Sequence, residues 1–216
     1  MSPYQPPLKL SDRQRRLRYA GRKVLYAAVV AALLGGLVLA DRAGFFGRRD
    51  DPDLEKYGGK TFTVVKVVDG DTLDIGIPDG QYTHTRIRFW GIDAPETHDP
   101  RKPGFVGFFG PEASEFVHRL TLHETVRIEM EPDKATRDKY HRLLAWIYLA
   151  DGRLLNQMMV EQGYAYADPR FPHHLAKEFK HLQAAAMNAH LGLWVNGPPK
   201  DIPDYYASGH YKLPTK

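Results

Sequence analysis

The sequence predicts an α+β fold: a small five-stranded β-barrel with three helices, preceded by an N-terminal apolar helix. Three observations carry that prediction. Five β-rich runs lie between Lys60 and Leu149. Helix-like stretches follow the third run and the fifth, a segregation typical of α+β packing. An unbroken uncharged run, Val24 to Ala40, stands apart behind a cluster of arginines.

Lys60 to Ile77 gives the first two strands, joined as a hairpin through a tight Asp-Gly turn at Asp69-Gly70-Asp71. Pro78-Asp79-Gly80-Gln81 is a turn, and Tyr82 to Ile92 is a third strand with partial alternation. Thr97 to Gly110 is a long loop containing Gly, Pro and Phe, a length more often functional than ordinary. Its Phe105, Phe108 and Phe109 pack on substrate, on a membrane or on the protein's own core. Pro111 opens the first helix, with Glu112 and Glu115 near its positive end. Thr125 to Met130 alternates as a fourth strand, and Leu143 to Leu149 reads as a buried fifth. Leu154 to Gln162 is a short helix closed by Gly163, and Leu175 to His190 a longer one ended by Gly192. Residues 196–216 are Pro-rich and polar and read as an extended tail. This order of elements fits an OB-type barrel.

Residues 1–23 hold Arg13, Arg15, Arg16, Arg18, Arg22 and Lys23. The following run, 24–40, spans roughly 26 Å as a helix, just short of a hydrocarbon core of about 30 Å. With the basic flank on the cytoplasmic side, it reads as a single-pass transmembrane signal anchor at the cell membrane. The rest of the chain is then extracytoplasmic. The alternative is a signal peptide cut after Ala40, which would give a secreted protein. Residues 41–59 are polar, with several glycines, and read as a linker. The segment also explains the charge: residues 1–59 carry 11 Lys and Arg against 6 Asp and Glu, whereas residues 60–196 carry 16 against 18. The formal net charge of +4 is therefore no argument for nucleic-acid binding by the domain. The absence of cysteine excludes disulfides, thiolate metal sites and a cysteine nucleophile.

Two strand ends gather four acids: Asp69 and Asp71 in Val68-Asp69-Gly70-Asp71-Thr72, and Asp93 and Glu96 in Gly91-Ile92-Asp93-Ala94-Pro95-Glu96. Either segment alone reads as a turn or a strand stop. Clustered carboxylates repel unless a cation joins them, and hard oxygen donors suit Ca²⁺ or Mg²⁺. Arg88 lies five residues before Asp93, and Asp138-Lys139-Tyr140-His141-Arg142 supplies a second arginine. A cation, a spare carboxylate and arginines are the parts needed to attack a phosphodiester.

At these residues the sequence resembles the staphylococcal nuclease (thermonuclease) family over about residues 60–195. The matching segments are Val68 to Thr72, Arg88 to Thr97, Gly110 to Ser114, Asp138 to Tyr148, Gln162 to Ala165 and Gly192 to Trp194, in the family's order. The resemblance implies an OB-fold barrel with three helices and a Ca²⁺-dependent phosphodiesterase acting on DNA and RNA. By the same likeness, Asp71, Asp93 and the backbone carbonyl of Ala94 look like metal ligands, with Asp69 binding through water. Glu96 matches the general base, and Arg88 and Arg142 the phosphate-binding arginines. Lys139 and Tyr140 lie beside the bound nucleotide, and Arg101 and Lys102 stand in for a lysine-bearing loop. The sequence departs from the family at Ala167-Asp168-Pro169-Arg170-Phe171, where base-packing tyrosines are usual and Phe171 alone is suited to stack. Oxygen donors also accept Mg²⁺ or Mn²⁺.

Two other readings compete. A binding barrel that has lost its chemistry would hold nucleic acid or protein, yet the acids and arginines such loss would erode are all present. A barrel holding Ca²⁺ only for stability would have no use for two arginines beside a cation.

Overall fold

The computed structural model describes residues 23–36, 39, 51–98, 104–131, 133–200 and 202–214. The chain divides into two compact units, 1–50 and 51–216.

In the first unit, residues 23–36 form a helix, α1, with every described side chain exposed, Val24, Leu25, Leu33 and Leu34 among them. Among the described residues no helix is long and apolar enough to cross a membrane. The expected span 24–40 includes residues 37, 38 and 40, which lie outside the described residues. So do residues 1–22 of the basic segment and 41–50 of the linker.

The second unit opens with α2 (Pro52–Tyr57), a helix where a linker was expected. Asp51 caps it by accepting from Asp53 N, and Pro52 suits its first turn. Tyr57 is buried and shares a hydrogen bond of 2.9 Å with the Thr85 hydroxyl. Asp53 accepts from the Arg137 guanidinium at 2.6 and 2.7 Å, and Asp79 takes the same arginine at 2.6 Å. The segment is therefore pinned to the barrel by one buried ring and one shared arginine.

The barrel is closed, in the order β1 (Lys60–Asp69), β2 (Thr72–Ile75), β3 (Thr85–Phe89), β6 (Leu143–Tyr148) and β5 (Thr125–Glu129). All neighbours are antiparallel except β3 and β6. This is the OB-type barrel expected from the sequence. Val64, Leu73, Ile75, Ile87, Phe89, Val126, Ile128, Leu143, Ala145 and Ile147 fill its interior. Each fully buried large side chain contributes about 1.5–3 kcal/mol. Two irregularities in the β1–β2 register bend β1, which is how a ten-residue strand follows the curve.

Three helices flank the barrel as expected: α3 (Gly110–Thr121), α4 (Leu155–Glu161) and α5 (Ala176–Asn188). Fully buried Asn156 ties α4 to the sheet, accepting from Ile147 N at 2.9 Å and donating to Trp90 O at 2.9 Å. His190 is the left-handed residue that directly follows the C-cap of α5; Gly192, expected there, is also left-handed but opens the 3₁₀ turn Gly192–Trp194. Phe109 lies 5.7 Å from the Tyr164 ring, so that phenylalanine covers the protein's own core.

Two departures shape the site. The expected third strand, 82–92, breaks after Phe89; beyond Trp90 and Gly91 the chain re-forms as β4 (Ile92–Asp93), paired with β7 (Tyr166–Ala167) in a separate two-stranded sheet. The 196–216 stretch is not wholly extended: Asp204–Ala207 forms a short helix, α6. Its Tyr206 hydroxyl donates to Ala167 O at 2.7 Å, and Tyr206 clusters with buried Tyr166, Leu193 and Trp194.

Candidate active site

The hairpin turn between β1 and β2 carries the first acids. Asp69 ends β1 and accepts from Asp71 N at 3.0 Å, fixing the turn as a local side-chain bridge. Gly70 is required here for space, since its φ is not positive. A Cβ on it would lie 2.8 Å from both the Ala94 and the Ala113 methyl carbons. The hairpin therefore touches the chain carrying Asp93 and the first turn of α3 at a single point.

That contact places Asp71 against Ala94. The Asp71 carboxylate, 5% exposed, accepts from Thr72 Oγ1 at 3.0 Å and Ala94 N at 2.7 Å. Arg88, on β3 beside Thr72, forms ion pairs with Asp71 Oδ2 and with Asp93 Oδ1, the latter at 2.6 Å. One guanidinium thus joins the two acids that the sequence brings from different strand ends.

Glu96 follows two residues after Ala94 on a backbone held closely by two glycines. Gly107 N donates to Glu96 O at 2.9 Å, and a Cβ on Gly110 would fall 2.6 Å from the same oxygen. The Glu96 side chain itself is exposed.

The charges are strongly interdependent. Burial pushes the Asp71 carboxyl up to about 7, with Asp69 adding to it and Arg88 and the Ala94 N–H opposing. Burial likewise pushes Asp93 up to about 6, Arg88 and Arg170 opposing and Asp71 adding. Glu96, though its side chain keeps an exposed face, is raised by partial desolvation of its carboxyl and by Asp71 and Asp93, with Arg88 and Arg142 pulling the other way. Burial disfavours the Arg88 charge, but Asp71 and Asp93 outweigh it and keep the guanidinium protonated. Buried carboxylates raised by neighbouring acids, Asp71 by Asp69 and Asp93 by Asp71, are best relieved by a cation of higher charge than one arginine.

The donor set fits such a cation in part. Among the described residues no three His, Cys, Asp or Glu side chains form a ready metal cluster. Two converging carboxylates suit a hard cation that completes its shell with backbone oxygen and water. The described contact of Ala94 is its N–H on Asp71, and Asp69 spends one oxygen on the turn.

Arg142 belongs to a turn organised by Asp138. Asp138 accepts from Tyr140 N at 2.8 Å, Arg142 N at 3.0 Å and Arg142 Nε at 2.7 Å. Lys139 Nζ sits 4.9 Å from the Tyr140 ring centre, and the ring is 66% exposed. Arg88, Lys139, Tyr140, Arg142, Arg170 and Phe171 line one cavity of about 520 Å³. Phe171 keeps an exposed ring, with the Arg170 guanidinium 5.6 Å from its centre. The sequence-derived nucleotide contacts therefore share one concavity, Arg101 and Lys102 excepted, which lie outside the described residues.

Sequence reasoning missed two residues. Arg170 lies 3.2 Å from Asp93 Oδ2, and the Tyr205 hydroxyl donates to the same oxygen at 3.1 Å. The acid-x-arginine pair Asp168/Arg170 is a local signal that was available. Tyr205 lies 112 residues from Asp93 and has none.

A closed OB-type barrel carrying paired acids and arginines at the ends of β1, β3 and β4 defines the class of protein. The matching family is described as "Staphylococcal nuclease homologue", over residues 86–196. The chain is 33% identical to the thermonuclease of Staphylococcus hyicus over 144 residues, 66% of this chain and 80% of that protein. It is 38% identical to the thermonuclease of Staphylococcus intermedius over 109 residues, 50% of this chain and 60% of that protein. Endonuclease YhcR of Bacillus subtilis is 31% identical over 147 residues, 65% of this chain and 12% of that protein. The chain belongs to the staphylococcal nuclease family.

Proposed function

We propose that this chain is a metal-dependent nuclease that hydrolyses phosphodiester bonds of DNA, RNA or both. The observation that carries the reading is the Arg88 bridge between Asp71 and Asp93, with Glu96 and Arg142 in the same electrostatic field. The relatives named thermonuclease and endonuclease support the substrate class.

Asp71 and Asp93 would hold the cation, with the Ala94 carbonyl and Asp69 through water as further donors. Ca²⁺ is the expected ion by kinship, and Mg²⁺ and Mn²⁺ suit the same oxygens. Held there, such an ion would supply positive charge against the phosphate and a place to orient water. Glu96 accepts the proton of the attacking water; its raised pKa makes it a better base than an ordinary carboxylate. Arg88 and Arg142 hold the phosphate oxygens and stabilise charge that grows in the five-coordinate transition state. Lys139 and Tyr140 flank the nucleotide, and Phe171 offers a stacking face worth about 1–3 kcal/mol per base. Arg101 and Lys102 supply further phosphate contacts.

The N-terminal basic cluster and apolar run, with α1 fully exposed in its described part, support a membrane anchor that leaves the nuclease domain extracytoplasmic. Cleavage after Ala40 would release it instead.

The test is digestion of single-stranded DNA and RNA with Ca²⁺, with Mg²⁺ and with chelator, beside Glu96→Gln. Metal-dependent cleavage lost in Glu96→Gln supports the reading. Binding without cleavage in any metal leaves a binding barrel in its place.

A further inference from the structure

We infer that the C-terminal segment completes the active site, with Arg170 and Tyr205 as positioning residues that hold Asp93 for the divalent cation. The inference rests on the metal-dependent reading above.

Asp93 needs such help. It sits on a strand of two residues, outside the barrel ladder, and among the described residues its only sheet partner is the equally short β7. Arg88 takes Asp93 Oδ1. That single contact leaves the carboxylate free to rotate about its own axis. Arg170 and Tyr205 both reach Oδ2, at 3.2 and 3.1 Å, so the two oxygens are gripped from opposite sides. A carboxylate accepts about four hydrogen bonds, so roughly one acceptor direction stays open.

The grip is built rather than incidental. Arg170 is itself locked by Asp168, 4% exposed, through Nε at 2.8 Å and Nη2 at 2.6 Å. The Arg170 guanidinium lies 4.3 Å from the centre of the Tyr205 ring, so ring and cation fix each other. The next residue, Tyr206, anchors the segment on Ala167 O and against Tyr166. Asp168 N donates to Gly91 O at 2.9 Å, tying the Arg170 side of the clamp to the strand break that precedes Asp93. The Tyr205 hydroxyl is neutral, so it orients the carboxylate without adding to the positive charge that Arg88 and Arg170 already bring. Groups that orient metal ligands in this way typically govern affinity by 10–100-fold.

The experiment uses the full chain and Ca²⁺ alone, titrated calorimetrically without nucleic acid, with urea stability measured in chelator. Tyr205→Phe keeps the ring and removes only the hydroxyl. It is expected to bind Ca²⁺ about 10-fold more weakly with little change in urea midpoint. Arg170→Lys keeps the charge and loses the fork, and is expected to weaken Ca²⁺ in the same sense. A purely packing role predicts normal Ca²⁺ binding in Tyr205→Phe. Affinity within twofold of the parent in both variants, or tighter, overturns the inference alone. A parent chain that binds none of Ca²⁺, Mg²⁺ and Mn²⁺, each titrated alone, overturns the proposed function, and this inference with it.

Discussion

Gly70→Ala tests the contact on which the site's geometry depends. An added Cβ would stand 2.8 Å from two methyl carbons, Ala94 and Ala113. Ordinary carbon contacts lie at about 3.5–4.0 Å, so each neighbour must yield by roughly 0.7 Å or more. Neither is the end of a flexible side chain: Ala94 adjoins Asp93, and Ala113 sits inside α3. Strain of this kind costs about 1–3 kcal/mol. The same displacement stretches the Ala94 N–Asp71 bond, now 2.7 Å, beyond useful length. Gly70→Ala is therefore expected to lower urea stability by about 2 kcal/mol and to weaken Ca²⁺ binding together with cleavage. Ala113→Gly in the same chain removes one of the two clashes and should recover part of the loss of cleavage. Equilibrium urea unfolding and Ca²⁺ calorimetry read both effects. A Gly70→Ala protein within about 0.5 kcal/mol of the parent, with unchanged Ca²⁺ affinity, would refute the argument that glycine is needed for this approach.

Arg142→Ala, shown to be folded, should lose about 10²–10³-fold in turnover, measured as initial rates on single-stranded DNA; near-normal turnover would remove Arg142 from the mechanism. Asn156→Ala leaves Ile147 N–H and Trp90 C=O without their buried partner, while Ala145 C=O keeps Trp90 N–H. Two orphaned groups at about 1–3 kcal/mol each predict a loss of roughly 2–6 kcal/mol in urea unfolding; a loss below about 1 kcal/mol counts against it. Burial pushes the Asp53 carboxyl up, but the Arg137 guanidinium and the Thr136 hydroxyl outweigh it and hold it below its ordinary 3.8. The stability this gives is present above pH 3.8 and lost as pH falls through the folded value, where the unfolded state binds the extra proton. Asp53→Asn should therefore be less stable than the parent at neutral pH, with the gap closing under acid; a gap independent of pH would contradict the ion-pair account.

The barrel strands were legible because their side-chain pattern is local: a buried strand must be apolar or alternate wherever it lies in the chain. The site acids and arginines were legible because their chemistry is carried by short segments, Asp69 to Asp71, Arg88 to Glu96 and Asp138 to Arg142. The break at Trp90-Gly91 was not, since Ile87, Phe89, Trp90 and Ile92 favour strand whether the ladder continues or not. Nor was α2: its six residues, Pro52–Tyr57, are too few to show a helical period, and what holds them is Arg137 and the Tyr57 pocket.

By itself the sequence determined the five strands, the three flanking helices and the identity of the chemical groups, because each follows from neighbours a few residues apart. Only the tertiary structure decided which groups meet. That Arg88 joins Asp71 to Asp93, that Gly70 is there for room, and that Tyr205 reaches back to Asp93 are facts of closure. They depend on how a bent hairpin, a two-residue strand and a C-terminal turn converge in space, and contacts across that many residues leave no periodic trace in the chain.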